Sequence, residues 1–552
     1  MTIKIVTIIV SLSFLQLSTT FDNQKYSDDV GLYVTLNEPQ NSTIKGHYLT
    51  SFLGRKYYAF QDIPFAMPPI GKRRFKEAEP TPPWKGVYNA TQSKKMCPQK
   101  VSFVVIGNED CLYLNVYTPV NPKNTTKRLP VFFWIHGGAF VYGGGGYLMQ
   151  NPAYFMDEDV VVVTTNYRLG ILGFLSTEDS VIPANLGLKD QRLALGWTYA
   201  NIDRFGGDPK NIVIGGESAG AGSVGYHLLE IHEKPMFTGA FLGSGTSMNT
   251  WTYQQNPKER AFTVGRKLDK HFDSTDSASL LAILQNVTVA NLLQICTEEQ
   301  KYFNWIAIQP EDKNGYNPPT DSIENGNFIK VPVLLGFNSE ELLCPLGSRS
   351  GNHYKRVYEQ ALEADLDPSK LVGVIDIGKQ NATQIGIELR KFYTNGSFTN
   401  DLPAFVRYLS EYNFITAITK HADSASQFVF TYLYQFSFKS STARKSTIPG
   451  IEGTCHGEDL PFYWTDYRVK IPENERIIAK RFVRIISNFI KHKSPMPQLD
   501  PLLENATWPE VRPNYIQYMN FGEHFKVEKN PRSFSIKAEF LDKHLVKPIY
   551  VY

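Results

Sequence analysis

The chain has few cysteines, no surplus of charge and no internal repeat, and each shortage closes off a class of protein. Five cysteines in 552 residues, with no C-x-x-C pair among them, make neither a disulfide scaffold nor a zinc ribbon. Lys+Arg 57 against Asp+Glu 54 leaves a formal charge of +3. No basic run is long enough to track a phosphate backbone, so nucleic acid is not an expected partner. Composition is unbiased, with 42% hydrophobic and 20% charged residues beside 40 Gly and 33 Pro, which excludes disordered, collagen-like and low-complexity chains. Long apolar runs are missing after the first twenty residues. A chain of this length buries roughly three quarters of its unfolded surface, so it needs no metal or staple to fold. A large soluble globular enzyme is the expectation.

Residues 1–20 read as a cleaved signal peptide. Lys4 supplies the positive start, Ile5 to Leu17 the apolar core, Ser18 and Thr20 the small residues, and Asp22 with Gln24 turn the chain polar. A buried helix or membrane anchor is the alternative, but a span needs about 20 apolar residues, and no positive cluster follows. Seven N-x-[ST] sequons, at Asn41, Asn89, Asn124, Asn286, Asn381, Asn395 and Asn505, suit a secreted glycoprotein. The end of the chain, Lys547 to Tyr552, carries neither an ER-retention tetrapeptide nor a hydrophobic tail for a lipid anchor. Free secretion is therefore expected.

Short apolar runs rich in β-branched and aromatic residues lie at Val131–Ile135, Val160–Thr165, Asn211–Ile214, Val331–Leu335 and Phe428–Phe436. Continuous apolarity is what strands buried on both faces require, as in a parallel sheet covered by helices. Helical stretches, such as Lys189 to Asp203 and Ala219 to Glu230, lie between them, giving an α/β fold. Polar segments at 119–130, 309–327 and 438–453 read as surface loops. One domain over 21–552 is the economical reading, although length alone would allow about three or four domains.

The sharpest local feature is Gly216-Glu217-Ser218-Ala219-Gly220, a G-x-S-x-G pentapeptide. An apolar strand precedes it and a small-residue helix follows, the setting a nucleophile elbow needs; a Gly/Ser helix cap is the bland alternative. A serine hydroxyl is a weak nucleophile at neutral pH, so it requires a base and donors for the developing oxyanion. Upstream, the strand at 131–135 runs into His136-Gly137-Gly138-Ala139-Phe140 and then Gly143 to Gly146, which matches the glycine-rich oxyanion loop of esterases and lipases. A metal reading of His136 lacks any second ligand nearby in sequence.

With these motifs in hand, the chain resembles the type-B carboxylesterase/cholinesterase family of α/β-hydrolases, and within it the secreted insect carboxylesterases. Phe60 to Gly71 with Arg74-Phe75, Glu109 to Val116, Asn166 to Gly170, Asn185 to Gln191, and Asn201-Ile202 with Phe205 to Pro209 follow in that family's order. The resemblance implies an α/β-hydrolase fold with a large, mostly parallel sheet in one domain. It also implies a Ser-His-Glu triad and hydrolysis of small-molecule esters with no cofactor and no metal. The acid motif is Val331 to Glu341, where two glutamates compete; alignment on Gly336 favours Glu341 over Glu340. Leu342 stands where the family usually has glycine. Gly453 to Leu460 resembles the histidine loop, and His456 is the only histidine in a Gly-flanked loop beyond a strand. The order Ser218, Glu341, His456 is that of the fold. By resemblance the oxyanion donors are the N–H groups of Gly138, Ala139 and Ala219, and Trp251 lines the acyl pocket, although a plain core tryptophan fits equally.

The resemblance pairs Cys97 with Cys111 and leaves Cys296, Cys344 and Cys455 unassigned. An odd count leaves at least one thiol outside an internal pair. His271-Phe272 and Ile283 stand near the family's second disulfide, so that bridge is expected to be lost. Residues 98–110 hold no tryptophan, so a cholinesterase-like cation–π site is not expected there. Juvenile hormone esterases, which this chain also resembles, usually show glutamine before the nucleophile; Glu217 speaks against that reading, which stays open as an alternative. An adhesion or ligand-binding protein without turnover, or a slow esterase that sequesters esters, are the competing readings.

Overall fold

A computed structural model describes residues 31–544, apart from 102–103, 231–233, 255, 300–310, 313–314, 317–318, 346–351, 373–378 and 466–470. The expected signal peptide at 1–20 therefore lies outside the described residues.

Eleven strands form the central sheet: β1 (His47–Thr50), β2 (Lys56–Pro64), β3 (Tyr113–Thr118), β4 (Leu129–Ile135), β5 (Val161–Thr165), β6 (Gly207–Glu217), β7 (Gly239–Gly243), β8 (Val333–Asn338), β9 (Thr431–Phe436), β10 (Gln517–Phe521) and β11 (Phe525–Lys529). Their spatial order is β11-β10-β9-β8-β7-β6-β4-β5-β3-β2-β1. From β5 through β10 every pairing is parallel, whereas β1–β2, β2–β3, β3–β5 and β10–β11 are antiparallel. This is the large, mostly parallel, helix-flanked sheet of an α/β protein.

The continuous apolar runs have the predicted cause. Val131, Phe133 and Ile135 of β4 enter one core cluster, and Phe132 and Trp134 enter the other. Ile212 and Ile214 of β6 likewise face one side, with Val213 on the opposite side. Helix α1 (Leu186–Asn201) and helix α2 (Ala219–Leu229) cover the first face. Every α2 residue from Ala219 to Leu228 is buried, as expected of a helix apolar all round. On the second face, helix α5 (Arg476–His492) lays down Ile478, Phe482, Ile485, Ile486, Phe489 and Ile490.

Several boundaries differ from the sequence reading. The run expected at 428–436 becomes a strand only at Thr431, because Phe428 and Val429 donate their N–H groups back to Ala425 and finish the preceding helix α4 (Thr416–Ala425). The run expected at 331–335 is the strand Val333–Asn338. The stretch 309–327 includes a short helix, Pro319–Glu324, with buried Ile323. Strand β6 extends from the expected 211–214 in both directions, to Gly207 and Glu217.

A third apolar cluster sits on the loops leaving β8 and β9. Leu343, Cys344 and Cys455 join residues of helix His353–Leu366 and of helix α3 (Leu402–Ser410) there. All seven sequon asparagines are exposed. Among the described residues no single helix is long and apolar enough to cross a membrane.

Candidate active site

The site gathers at the carboxyl ends of the parallel strands, where such sheets open toward solvent. Strand β6 ends in the elbow. Ser218 has φ 57° and ψ −123°, a left-handed-side conformation that costs a non-glycine residue about 1–3 kcal/mol. The flanking glycines make the turn possible. A Cβ on Gly216 would lie 2.3 Å from the Gly220 carbonyl carbon, and one on Gly220 would lie 2.1 Å from the Ile135 carbonyl oxygen. Ser218 N–H donates to the Gly243 carbonyl at 2.8 Å, tying the elbow to the end of β7.

The structure brings Ser218, His456 and Glu341 together. His456 Nε2 is 2.9 Å from Ser218 Oγ, and His456 Nδ1 is 2.7 Å from Glu341 Oε2. Glu341 is fully buried, and its other oxygen accepts from Ser244 Oγ and the Asn338 N–H, both at 2.7 Å. Those bonds orient the carboxylate. Glu340 points elsewhere, pairing with Arg532 at 2.7 Å. Leu342, where resemblance suggests glycine, is not among the residues with positive φ, and its N–H donates to Ser410 Oγ at 3.0 Å. Its backbone therefore does not demand glycine.

The glycine-rich loop expected to supply the oxyanion donors leaves β4 beside the serine. Gly138 (φ 109°), Ala139 (φ 51°) and Phe140 (φ 59°) turn the chain sharply. Gly137 is so close that an added Cβ would lie 3.1 Å from the Ser218 Cβ. Ala219 opens α2 directly after the serine. Buried His136 stacks on Tyr167 at 4.5 Å, with Nδ1 2.7 Å from the Gly137 carbonyl. Burial pulls its imidazole down to about 4, so the ring is neutral and props the loop rather than carrying charge.

Several contacts that shape the site had no signal in sequence. Glu217 Oε1 lies 3.3 Å from His456 Nε2, a second carboxylate on the imidazole. Burial pushes the Glu217 carboxyl upward, against the pull of His456. Burial alone would lower the His456 imidazole, yet Glu217 and Glu341 together hold it above its ordinary value. Asp459 is raised to about 6 by burial, with an opposing hydrogen bond from Asn338. Phe414, in the π-helical turn Glu411–Ile415 between α3 and α4, packs on the His456 ring at 4.6 Å. Trp251 packs on Phe414 at 5.4 Å and donates its indole N–H to the Asn413 carbonyl at 2.7 Å. It is thus one aromatic ring away from the imidazole.

Cys97 and Cys111 are bridged, and so are Cys344 and Cys455, which the sequence left unassigned. Cys455, adjacent to His456, is therefore not a free thiol. Cys296 falls on helix Val289–Glu299, but its side chain lies outside the described residues.

A mixed sheet of this order, with the elbow after a central strand and an acid and a histidine on later loops, defines the α/β-hydrolase class. Comparison with known proteins narrows it. The chain belongs to the carboxylesterase family, whose sequence model matches residues 34–538, and it is a carboxylic ester hydrolase. It is 44% identical over 490 residues to esterase FE4 of Myzus persicae, covering 82% of this chain and 83% of that protein. It is 34% identical over 522 residues to a carboxylic ester hydrolase of Bombus ignitus, covering 89% and 91%. Venom carboxylesterase-6 of Apis mellifera is 30% identical over 517 residues, covering 88% and 90%.

Proposed function

We propose that the protein is a secreted serine carboxylesterase working through an acyl-enzyme, with Ser218 as nucleophile, His456 as base and Glu341 as the group that orients it. The observation that carries this reading is the unbroken chain of contacts from Ser218 Oγ through the imidazole to Glu341, at 2.9 and 2.7 Å. Ser218 Oγ attacks the ester carbonyl carbon while His456 Nε2 takes its proton. The N–H groups of Gly138, Ala139 and Ala219 stabilise the oxyanion. Collapse of the tetrahedral intermediate expels the alcohol, which receives the proton from Nε2. Water then repeats the sequence on the acyl-serine, releasing the acid and restoring the hydroxyl. Glu341 stays ionised throughout, holding the tautomer and stabilising the imidazolium. Trp251 and Phe414 give the acyl side an apolar, aromatic wall.

Secretion rests on the apolar leader at residues 1–20, the seven exposed sequons and a relative whose name places it in venom. Protein recovered from culture medium should begin near residue 21 and lose mass on endoglycosidase treatment. Turnover is tested with an activated aryl ester. A burst equal to the number of active sites is expected, abolished in Ser218→Ala, together with organophosphate labelling of Ser218. Absence of both burst and label in the wild-type protein would return the chain to the ligand-binding reading.

A further inference from the structure

The proposed base and acid both sit on loops, not on strands or helices: Glu341 follows β8, and His456 lies in the turn-rich segment before Leu460. A loop-borne pair needs something to hold its register, because a misplacement of about 1 Å can cost roughly 10²-fold in rate. The bridge joins these two loops. Cys455 immediately precedes His456, and Cys344 stands three residues beyond Glu341. Both cysteines are buried in the cluster built on those loops.

Polar contacts converge on the same turn. His456 N–H donates to the Glu341 carbonyl at 3.0 Å, and Asn338 Nδ2 donates to the Cys455 carbonyl at 2.9 Å. Cys455 N–H donates to Glu458 Oε2 at 2.8 Å, and Arg444 Nη2 donates to the His456 carbonyl at 2.6 Å. Each such bond contributes modestly alone and can open with local motion. The covalent link is the contact that cannot. Cys344, Cys455 and Glu458 lie close enough to suggest a metal-ligand set, but both sulfurs are consumed by their bond to each other.

We propose that the Cys344–Cys455 bridge is a positioning cross-link for catalysis, keeping the His456 imidazole seated on the Glu341 carboxylate. The proposal rests on the assignment of Ser218, His456 and Glu341 above. The Cys97–Cys111 bridge, which closes a loop of its own before β3, serves as the comparison.

The test replaces both cysteines, Cys344→Ser with Cys455→Ser, in the full-length secreted protein, and measures kcat, KM and the pH dependence of kcat/KM with an aryl ester. Expected is a fall in kcat of about 10²-fold with KM little changed. The acid limb of the profile should move to lower pH as the imidazole loses its fixed carboxylate. The Cys97→Ser/Cys111→Ser protein should keep the wild-type kcat and profile per titrated site. A protein lacking the Cys344–Cys455 bridge, with wild-type kcat and midpoint and only a lower melting temperature, would overturn the proposal. If the double variant does not fold, wild-type protein is reduced stepwise, with thiols alkylated and mapped by mass. Activity should fall in step with opening of Cys344–Cys455 while circular dichroism stays native, and retained activity in the opened, native-like protein would equally overturn it. Glu341→Gln separates the two readings. Wild-type turnover in that variant defeats the triad assignment itself, whereas collapse there with an active bridge-free protein defeats only the cross-link.

Discussion

Replacing Glu217 by glutamine removes from beside the proposed base a carboxyl that burial raises to about 8 and that pulls on the imidazole once it ionises, while keeping its shape. The carboxylate oxygen lies 3.3 Å from His456 Nε2. At that separation a charge pair is worth about 1.3 kcal/mol at a dielectric of about 80 and about 5 kcal/mol at about 20. Divided by roughly 1.4 kcal/mol per unit, this is a downward move of the imidazole by at least about one pH unit. The sign is set by chemistry. His456 must be neutral to accept the serine proton, so kcat/KM rises with pH through the His456 titration, and losing the carboxylate lets the neutral form appear earlier. The transition state also carries an imidazolium, which loses the same support. Below the titration, ground and transition states both hold the cation and the two losses cancel. Above it only the transition state suffers. The wild-type and Glu217→Gln profiles should therefore merge at low pH, while the variant shows a lower midpoint and a plateau reduced by about tenfold or more. Stopped-flow hydrolysis of an aryl ester from acid to alkaline pH, normalised by active-site titration, measures this. Coincident midpoints and plateaus would refute the electrostatic coupling of Glu217 to His456.

Three further outcomes follow from other contacts. Glu341→Gln should lower kcat by about 10⁴-fold, whereas Glu340→Gln, which loses only its pairing with Arg532, should leave turnover near wild type and lower the urea midpoint; the reverse pattern would reassign the acid. Asp190→Asn strips the bidentate partner from buried Arg168, held by two bonds of 2.7 Å, and should cost about 3–5 kcal/mol of unfolding free energy, read from urea titrations. Trp251→Ala should raise the preference for long over short acyl chains by about tenfold or more, measured as the ratio of kcat/KM for aryl octanoate and acetate. An unchanged ratio would make Trp251 a core residue only.

The features legible in sequence are those whose physics is local or periodic. Gly216 and Gly220 announce the elbow because a side chain at either would strike backbone two to three ångströms away. The runs at 131–135 and 160–165 announce buried strands because both their faces are covered. Glu341 stood out from Glu340 only through its distance from Gly336, and what separates them in space is partner choice: His456 for one, Arg532 for the other. Phe428 misled because an apolar side chain suggested strand, whereas it is exposed and the chain there is closing α4. Phe414 and the Cys344–Cys455 pair had no sequence signal, since the contacts that define them depend on where distant loops converge. Glu217 was visible as a neighbour of the serine, but its approach to the imidazole depends on a loop 239 residues further along the chain.

That separation has a meaning in time. Strand β6 and its elbow leave the ribosome 238 residues ahead of His456, an interval of about 12–48 s at about 5–20 residues per second. On the roles proposed above, a chain stopped within that interval carries the nucleophile's turn without the base that would take its proton. The capacity to form an acyl-enzyme would then arrive only when the loop after β9 docks on the loop after β8, so hydrolytic activity would report that this docking has taken place.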